Sequence, residues 1–352
     1  MACKKCTTTN SFPDISGKVI VYAAHDYMLD KFQSIFGDCY DIKRFTDYLI
    51  LEAPFKELID SIATNDVFTE TELENIMVMT MEKDESLTFS LFKKAKPLNY
   101  WIALNKASDL KWILDNYSIV ICFQPIVDIK SLDIFAYECL ARGVKKDGSL
   151  MMPNIMFEQA KKSDNLFNLD RQCRMSAIIT AKNKNVDKNI FINFTPNSIY
   201  NPEYCLRDTV GLARDIDYDF SRIVFEVVES ERVESVSHLK NIFNYYTKMG
   251  FRVALDDVGS GYSSLNMLAE LKPHFIKIDM NLIRDIHKDE VKKAIVCSLA
   301  DISKKIGATT LAEGVETDLE LNTVKECGVD LAQGYLFGKP SIEPQRSLAL
   351  GS

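Results

Sequence analysis

The stretch VALDDVGSGYSS (253–264) ends an apolar, strand-like run in two adjacent carboxylates, Asp256 and Asp257, and opens at once into a loop with glycines at 259 and 261. Two like charges side by side make each other harder to ionise. They are either solvated turn residues or the two sides of something strongly positive. The same question recurs along the chain, because polar residues close one apolar run after another. These are Glu138 and Arg142, Asn193, Glu226 and Glu229, Asp256 and Asp257, Lys277 and Asp279, Glu313, and Gln333. Even five or six of these seven carboxylates brought to one rim would repel one another unless metal ions neutralise them. No histidine closes a run, since His238, His274 and His287 fall elsewhere. A donor set made of oxygen selects Mg²⁺ or Mn²⁺ over zinc. Two such ions, about 3.5–4 Å apart, can clamp the attacking and leaving oxygens in phosphodiester hydrolysis.

The elements that must carry these residues are short apolar runs alternating with longer helical patterns, the order of an α/β fold. The runs cover 119–127, 135–142, 189–195, 222–229, 252–257, 275–279, 309–315 and 331–337. Eight is the number that closes a TIM-type barrel, and the C-terminal strand ends are where such barrels place their active sites. Between them, Val291, Ile295, Leu299, Ile302 and Ile306 recur at helical spacing until Gly307, and the pattern from Val236 to Met249 stops at Gly250. Only DIKSLD joins the first two runs, too few residues for a parallel crossover of roughly a dozen. The first strand is therefore expected to form a hairpin with the second and to run antiparallel to the other seven. Successive strand residues point to opposite faces, so Asp256 and Asp257 can share one metal pair only where the chain bends out of the strand.

The whole chain sets bounds on this reading. Its 352 residues allow two domains or one barrel with an extension, and 47% hydrophobic with 26% charged residues is ordinary globular composition. A net charge of −8 argues against a general nucleic-acid surface, though bound cations could still serve a small phosphate ligand. MACKKCTTTN lacks the apolar segment of a secretory signal, and no apolar run approaches a membrane span. The expectation is a cytoplasmic protein. Most of the nine cysteines, Cys122, Cys139 and Cys297 among them, lie singly inside apolar stretches, where reduced thiols are the default. Cys3 and Cys6 form a C-x-x-C that is either half a metal site or a redox pair.

At this point the sequence resembles the EAL-domain family of bacterial cyclic di-GMP phosphodiesterases over roughly residues 115–345. FQPIVD (123–128) resembles the family's opening strand and YECLAR (137–142) its Glu-Ala-Leu signature. INFT, FEVVES, LDDVGSGYSSL, IKID, AEGVET and QGYLFGKP follow in the family's order. The resemblance implies a TIM-like (β/α)8 barrel that hydrolyses cyclic di-GMP to linear 5′-pGpG with two Mg²⁺ or Mn²⁺ ions. It implies that Glu138, Asn193, Glu226 and Asp256 hold one ion and that Asp256 bridges to a second near Asp257 and Glu313. It also implies that Lys277 holds the attacking water, that Gln333 supports this network, and that Arg142 grips a phosphate. By the same resemblance Gln124 and Leu140 line the nucleotide groove, and Glu229 links the site to a homodimer interface near the loop after Asp257. Cys139, Val228, Val258 and Ser260 depart from the family's Ala, Thr, Phe and Thr; none removes an implied ligand, but Val228 and Val258 could loosen the packing around the ligands and the loop, and with it the rate. The rival function is a catalytically idle receptor for the dinucleotide, which would be expected to have lost carboxylates or the lysine.

Residues 1–110 form a separate, smaller α+β extension, regulatory or structural, and 111–352 the phosphodiesterase domain. GKVIVYAA (17–24) reads as a strand, a helix runs up to Phe36 before Gly37, and Thr69 with Glu72 forms a capping box. No Gly-Gly-Asp-Glu-Phe cyclase signature is present.

Overall fold

The computed structural model describes residues 8–13, 16–82, 85, 87–228, 236–259 and 264–348. Among these, two sheets organise the chain. The upstream sheet comprises β1 (Ser16–Ala23), β2 (Ile42–Arg44), β3 (Tyr48–Pro54), β4 (Ile76–Met81) and β5 (Lys96–Pro97), in the order β2-β3-β1-β4-β5. All its pairings are antiparallel. Period-two alternation sends Val19, Val21, Leu49, Leu51 and Val78 to one face. There they meet the apolar sides of helices 26–36, 55–65 and 98–106. The capping box at Thr69 is present, and its Glu72 also takes Lys31 Nζ at 2.8 and 2.9 Å.

The second sheet closes. Its strands are β6 (Ile119–Asp128), β7 (Ile134–Val144), β8 (Leu150–Met151), β9 (Asn189–Asn193), β10 (Ile223–Val228), β11 (Arg252–Val258), β12 (Phe275–Ile278), β13 (Thr309–Ala312) and β14 (Leu331–Gln333). β6 pairs antiparallel with both β7 and β14, and parallel ladders join β7 through β9 to β14. The result is an eight-stranded barrel with its first strand reversed, as the short DIKSLD link requires. β8 is an added edge on β7 that the sequence did not announce. Helices end where expected: Gly307, at φ 76°, takes the left-handed cap after helix 290–306.

The barrel interior is layered. Each strand gives one apolar residue to a plug: Ile126, Ala136, Phe191, Val224, Ala254, Phe275, Leu311 and Leu331. Two residues further towards the mouth, the pleat returns to the same face. Those positions are Gln124, on the reversed strand, then Glu138, Asn193, Glu226, Asp256, Lys277, Glu313 and Gln333. A dry floor thus carries a wholly polar ring.

Cys297 and Cys327 do not stay reduced and single; they form a disulfide between helix 290–306 and the end of helix 318–326. The two helices lie side by side on the barrel wall, which brings together residues that one strand and its flanking turns separate in sequence. Among the described residues Cys39, Cys122, Cys139 and Cys173 are free thiols, and Cys3 and Cys6 lie outside the described residues.

Candidate active site

Lys277 is the centre of the polar ring. It is 1% exposed, and its Nζ lies 3.0 Å from Asp256 Oδ1, 2.8 Å from Glu313 Oε1 and 3.9 Å from Glu138 Oε1, with Glu226 Oε2 in closer contact still. Burial works against its charge, yet Asp256, Glu226, Glu313 and Glu138 together hold it well above the ordinary lysine range. The ammonium therefore stays charged and acts as a donor. Amides brace the same ring: Gln333 Nε2 donates to Glu138 Oε2 at 2.6 Å, and Asn193 Nδ2 donates to Glu138 Oε1 at 3.1 Å.

Four buried or nearly buried carboxylates against one ammonium leave the ring short of positive charge. Burial drives the Glu226 carboxyl well up, helped by Glu138 and Asp256 and opposed by Lys277. Glu313 is pushed up to about 8 by burial, then by Asp256 and Glu138, again against Lys277. Glu226 is fully buried, and its Oε1 has no hydrogen-bond donor. An orphaned, desolvated carboxylate oxygen costs free energy unless a cation or proton meets it.

Asp257 reaches the ring by a different route. Its backbone is left-handed, φ 55°, and the β11–β12 register shifts between Leu255 and Val258. This bulge turns a residue that a regular strand would aim outward. Oxygens of Asp256, Asp257 and Glu313 consequently lie within 4.8 Å of one another. Half-burial, then the charges of Asp256 and Asp279, push the Asp257 carboxyl up to about 6. The donor set fits hard cations: three clustered carboxylates, an orphaned carboxylate oxygen beside them, and a deficit of positive charge.

Glycines let the last two strands deliver their residues. A side chain at Gly334 would meet the Val315 carbonyl oxygen at 1.9 Å, and the Val315 N–H donates to the Gln333 carbonyl at 3.0 Å. Gly314, at φ 70°, follows Glu313 and passes Met280 closely. Gln124 is buried, with its Nε2 3.4 Å from the Gly338 carbonyl. Leu140 lines a cavity of about 280 Å³ that adjoins the ring at Asn193. Arg142 lies further out on β7, partly exposed, its Nη1 donating to the Ala141 carbonyl. Glu229 lies outside the described residues, as do residues 260–263 of the loop. The cavity also has Asp170, Cys173, Pro153 and Phe157 in its wall, which the sequence reading passed over; they sit on helices, where strand-end logic does not look.

A reversed first strand and an oxygen-rich ring at the mouth define a (β/α)8 barrel of a particular kind. The EAL domain family matches residues 105–340, and the chain belongs to that family. The probable cyclic di-GMP phosphodiesterase PdeG of Escherichia coli strain K12 is 31% identical over 241 residues, 66% of this chain and 46% of that protein. The signaling protein YkoW of Bacillus subtilis strain 168 is 26% identical over 254 residues, 70% of this chain and 31% of that protein. This chain thus spans about a third to a half of the curated relatives it matches. Among solved structures, a standalone EAL protein from Vibrio cholerae O395 bound to c-di-GMP is 39% identical with TM-score 0.59, covering 65% of this chain and 95% of its own. BlrP1 of Klebsiella pneumoniae, solved with manganese and cyclic di-GMP, is 19% identical with TM-score 0.59. That likeness of fold covers 92% of this chain and 96% of the other, so it extends upstream of the barrel.

Proposed function

We propose that the chain hydrolyses cyclic di-GMP to linear 5′-pGpG in a reaction that depends on two divalent cations, Mg²⁺ or Mn²⁺. The observation that carries this is the completeness of the ring: every carboxylate and the lysine are in place around a buried, cation-deficient centre. Glu138, Asn193, Glu226 and Asp256 would hold one ion, and Asp256, Asp257 and Glu313 the second. Bound there, the ions would supply the positive charge that acidifies water and offsets charge on the phosphate oxygens. Lys277, kept protonated by its neighbours, orients the attacking water by donating to it. Gln333 and Asn193 hold Glu138 in one rotamer so that its carboxylate faces the ring. Arg142 is free to swing from its backbone contact to a phosphate, and Leu140 and Gln124 border the nucleotide.

Domain boundaries at 1–110 and 111–352, a regulatory role for the first of these, a homodimer coupled through Glu229 and the loop after Asp257, and a cytoplasmic location complete the proposal. No described helix is long and apolar enough to cross a membrane. The test is incubation with Mn²⁺ or Mg²⁺ and a panel of cyclic dinucleotides, with products separated by chromatography. Cation-dependent formation of pGpG from cyclic di-GMP is expected. Binding of the dinucleotide without turnover would replace the enzyme by the receptor, and preference for another dinucleotide would replace the substrate.

A further inference from the structure

Residues 8–13 cross between the two sheets. At one end Phe12 stacks on Phe55, centroids 5.1 Å apart, and meets Trp101 edge-on at 6.1 Å. At the other, Asn10 is held by a reciprocal pair: its N–H donates to Asn165 Oδ1 at 2.7 Å, and Asn165 Nδ2 donates back to its carbonyl at 3.2 Å. The Asn10 side chain also donates to the Asp164 carbonyl at 2.7 Å, and Asn168 Nδ2 donates to Thr9 Oγ1 at 3.1 Å. Asn165 and Asn168 are each 2% exposed.

Asn165 occupies the N-cap position of helix 166–183, yet its side chain makes no capping bond. A carboxamide there would ordinarily accept from the first turn of its own helix. Here its Oδ1 accepts from the 8–13 strap instead, a contact 155 residues away in sequence, while its Nδ2 also donates to the Ser163 carbonyl and Oγ at 3.2 and 3.0 Å. The helix so held leads to the ring. Asp170, 1% exposed, accepts from the Thr195 N–H at 2.8 Å and Ser198 Oγ at 2.7 Å, and pairs with Arg174. Thr195 lies two residues beyond Asn193, whose amide braces Glu138. The intervening Phe194 N–H donates to the Glu226 carbonyl at 3.0 Å.

We propose that Asn165 is a positioning residue for the cation site. The strap fixes the start of helix 166–183, the helix fixes Asp170, and Asp170 fixes the loop that presents Asn193, so docking of the N-terminal sheet sets cation affinity. The proposal rests on the cation-dependent reading of the ring given above. The strap is anchored to the N-terminal core through Phe12 and to the barrel through Asn165, so loosening either end has the same consequence.

The experiment uses the full chain without substrate and reads free Mn²⁺ by electron paramagnetic resonance during titration. Asn165→Ala and Phe12→Ala are compared with Ile20→Ala, a core truncation on the opposite face of the N-terminal sheet. Asn165→Ala and Phe12→Ala should each weaken Mn²⁺ binding about three- to tenfold, less than the 10–100-fold of a residue bonded to a ligand directly. Ile20→Ala should lower the melting temperature and leave Mn²⁺ affinity as it was. Unchanged affinity in the first two variants, or an equal loss in all three, overturns the proposal. A loss confined to Asn165→Ala overturns the link to the N-terminal sheet. A wild-type chain that takes up no Mn²⁺ overturns the functional reading itself, and this inference with it.

Discussion

Glu313→Gln isolates one proton. The Glu313 carboxyl stands at about 8 in the folded chain against 4.5 for an exposed glutamate. A raised carboxyl binds a proton in the native state that the unfolded state has already lost. Its contribution to stability is thus complete below pH 4.5 and lost as pH rises to about 8. Each pH unit in that window costs about 1.4 kcal/mol, and the whole window up to ~5 kcal/mol before relaxation and water entry are allowed for. Halving for these leaves about 2–3 kcal/mol. At about 2–4 °C per kcal/mol for a domain of this size, this proton alone should make the chelator-treated wild type melt roughly 5–10 °C lower near pH 8 than near pH 5. Other groups titrate in the same range, so the informative quantity is the difference between wild type and Glu313→Gln. The amide keeps the shape and cannot titrate, so the variant's curve should be flatter. Thermal melts by circular dichroism across that range, in chelator, measure it. Saturating Mn²⁺ should remove most of the wild-type loss, since a bound cation replaces the proton. Parallel curves for the two proteins in chelator would refute the reasoning.

If the proposed cation site is right, Asp256→Asn and Glu226→Gln should each lower turnover by about 100-fold or more while circular dichroism stays native, because each removes the charge of a proposed cation ligand and keeps its shape. Lys277→Met should leave its carboxylate neighbours uncompensated and destabilise the cation-free chain by about 3–5 kcal/mol in urea titrations above neutral pH, with a smaller loss in acid. Cys327→Ser opens a link across 30 residues; the chain-entropy relation gives a loss of about 3–4 kcal/mol. Reductant should lower the wild-type melting temperature as much as Cys327→Ser does and leave turnover near 25 °C within about twofold. Gly334→Ala forces a methyl into the Val315 carbonyl, so it should cost about 1–3 kcal/mol or more and depress turnover through Gln333, read by melts beside a product assay.

The polar ring was legible because a strand's side chains alternate. Once the eight runs are recognised, the polar residues towards the C-terminal ends of the seven parallel strands fall on the lumen face, and DIKSLD alone reverses the first strand. Asp257 was harder to place. Its presence at the ring depends on a left-handed backbone and a register shift, which no side-chain pattern encodes. The Cys297–Cys327 pair was misjudged for a related reason: burial argued for single thiols, but pairing depends on how two helices lie against the barrel. Asn165 was invisible to sequence reading, since a polar residue before a helix looks like an ordinary cap and its partner Asn10 lies 155 residues upstream. Local chemistry can be read along the chain; contacts between distant segments need the fold.

The reversal of β6 has a topological result. In a barrel whose strands all run one way, the chain enters at the closed end and whatever precedes the first strand is left there. Here Ile119, which begins β6, sits opposite Gly143 near the end of β7, so the polypeptide enters at the open end. The Ser118 carbonyl accepts from the Val144 N–H at 2.8 Å, and Lys145 lies 3.8 Å from Asp109. An upstream module joined to such a barrel by a short helix is delivered beside the mouth that carries the polar ring. Such a module can be exchanged without touching the apolar plug or the polar ring above it, because its attachment lies at the rim.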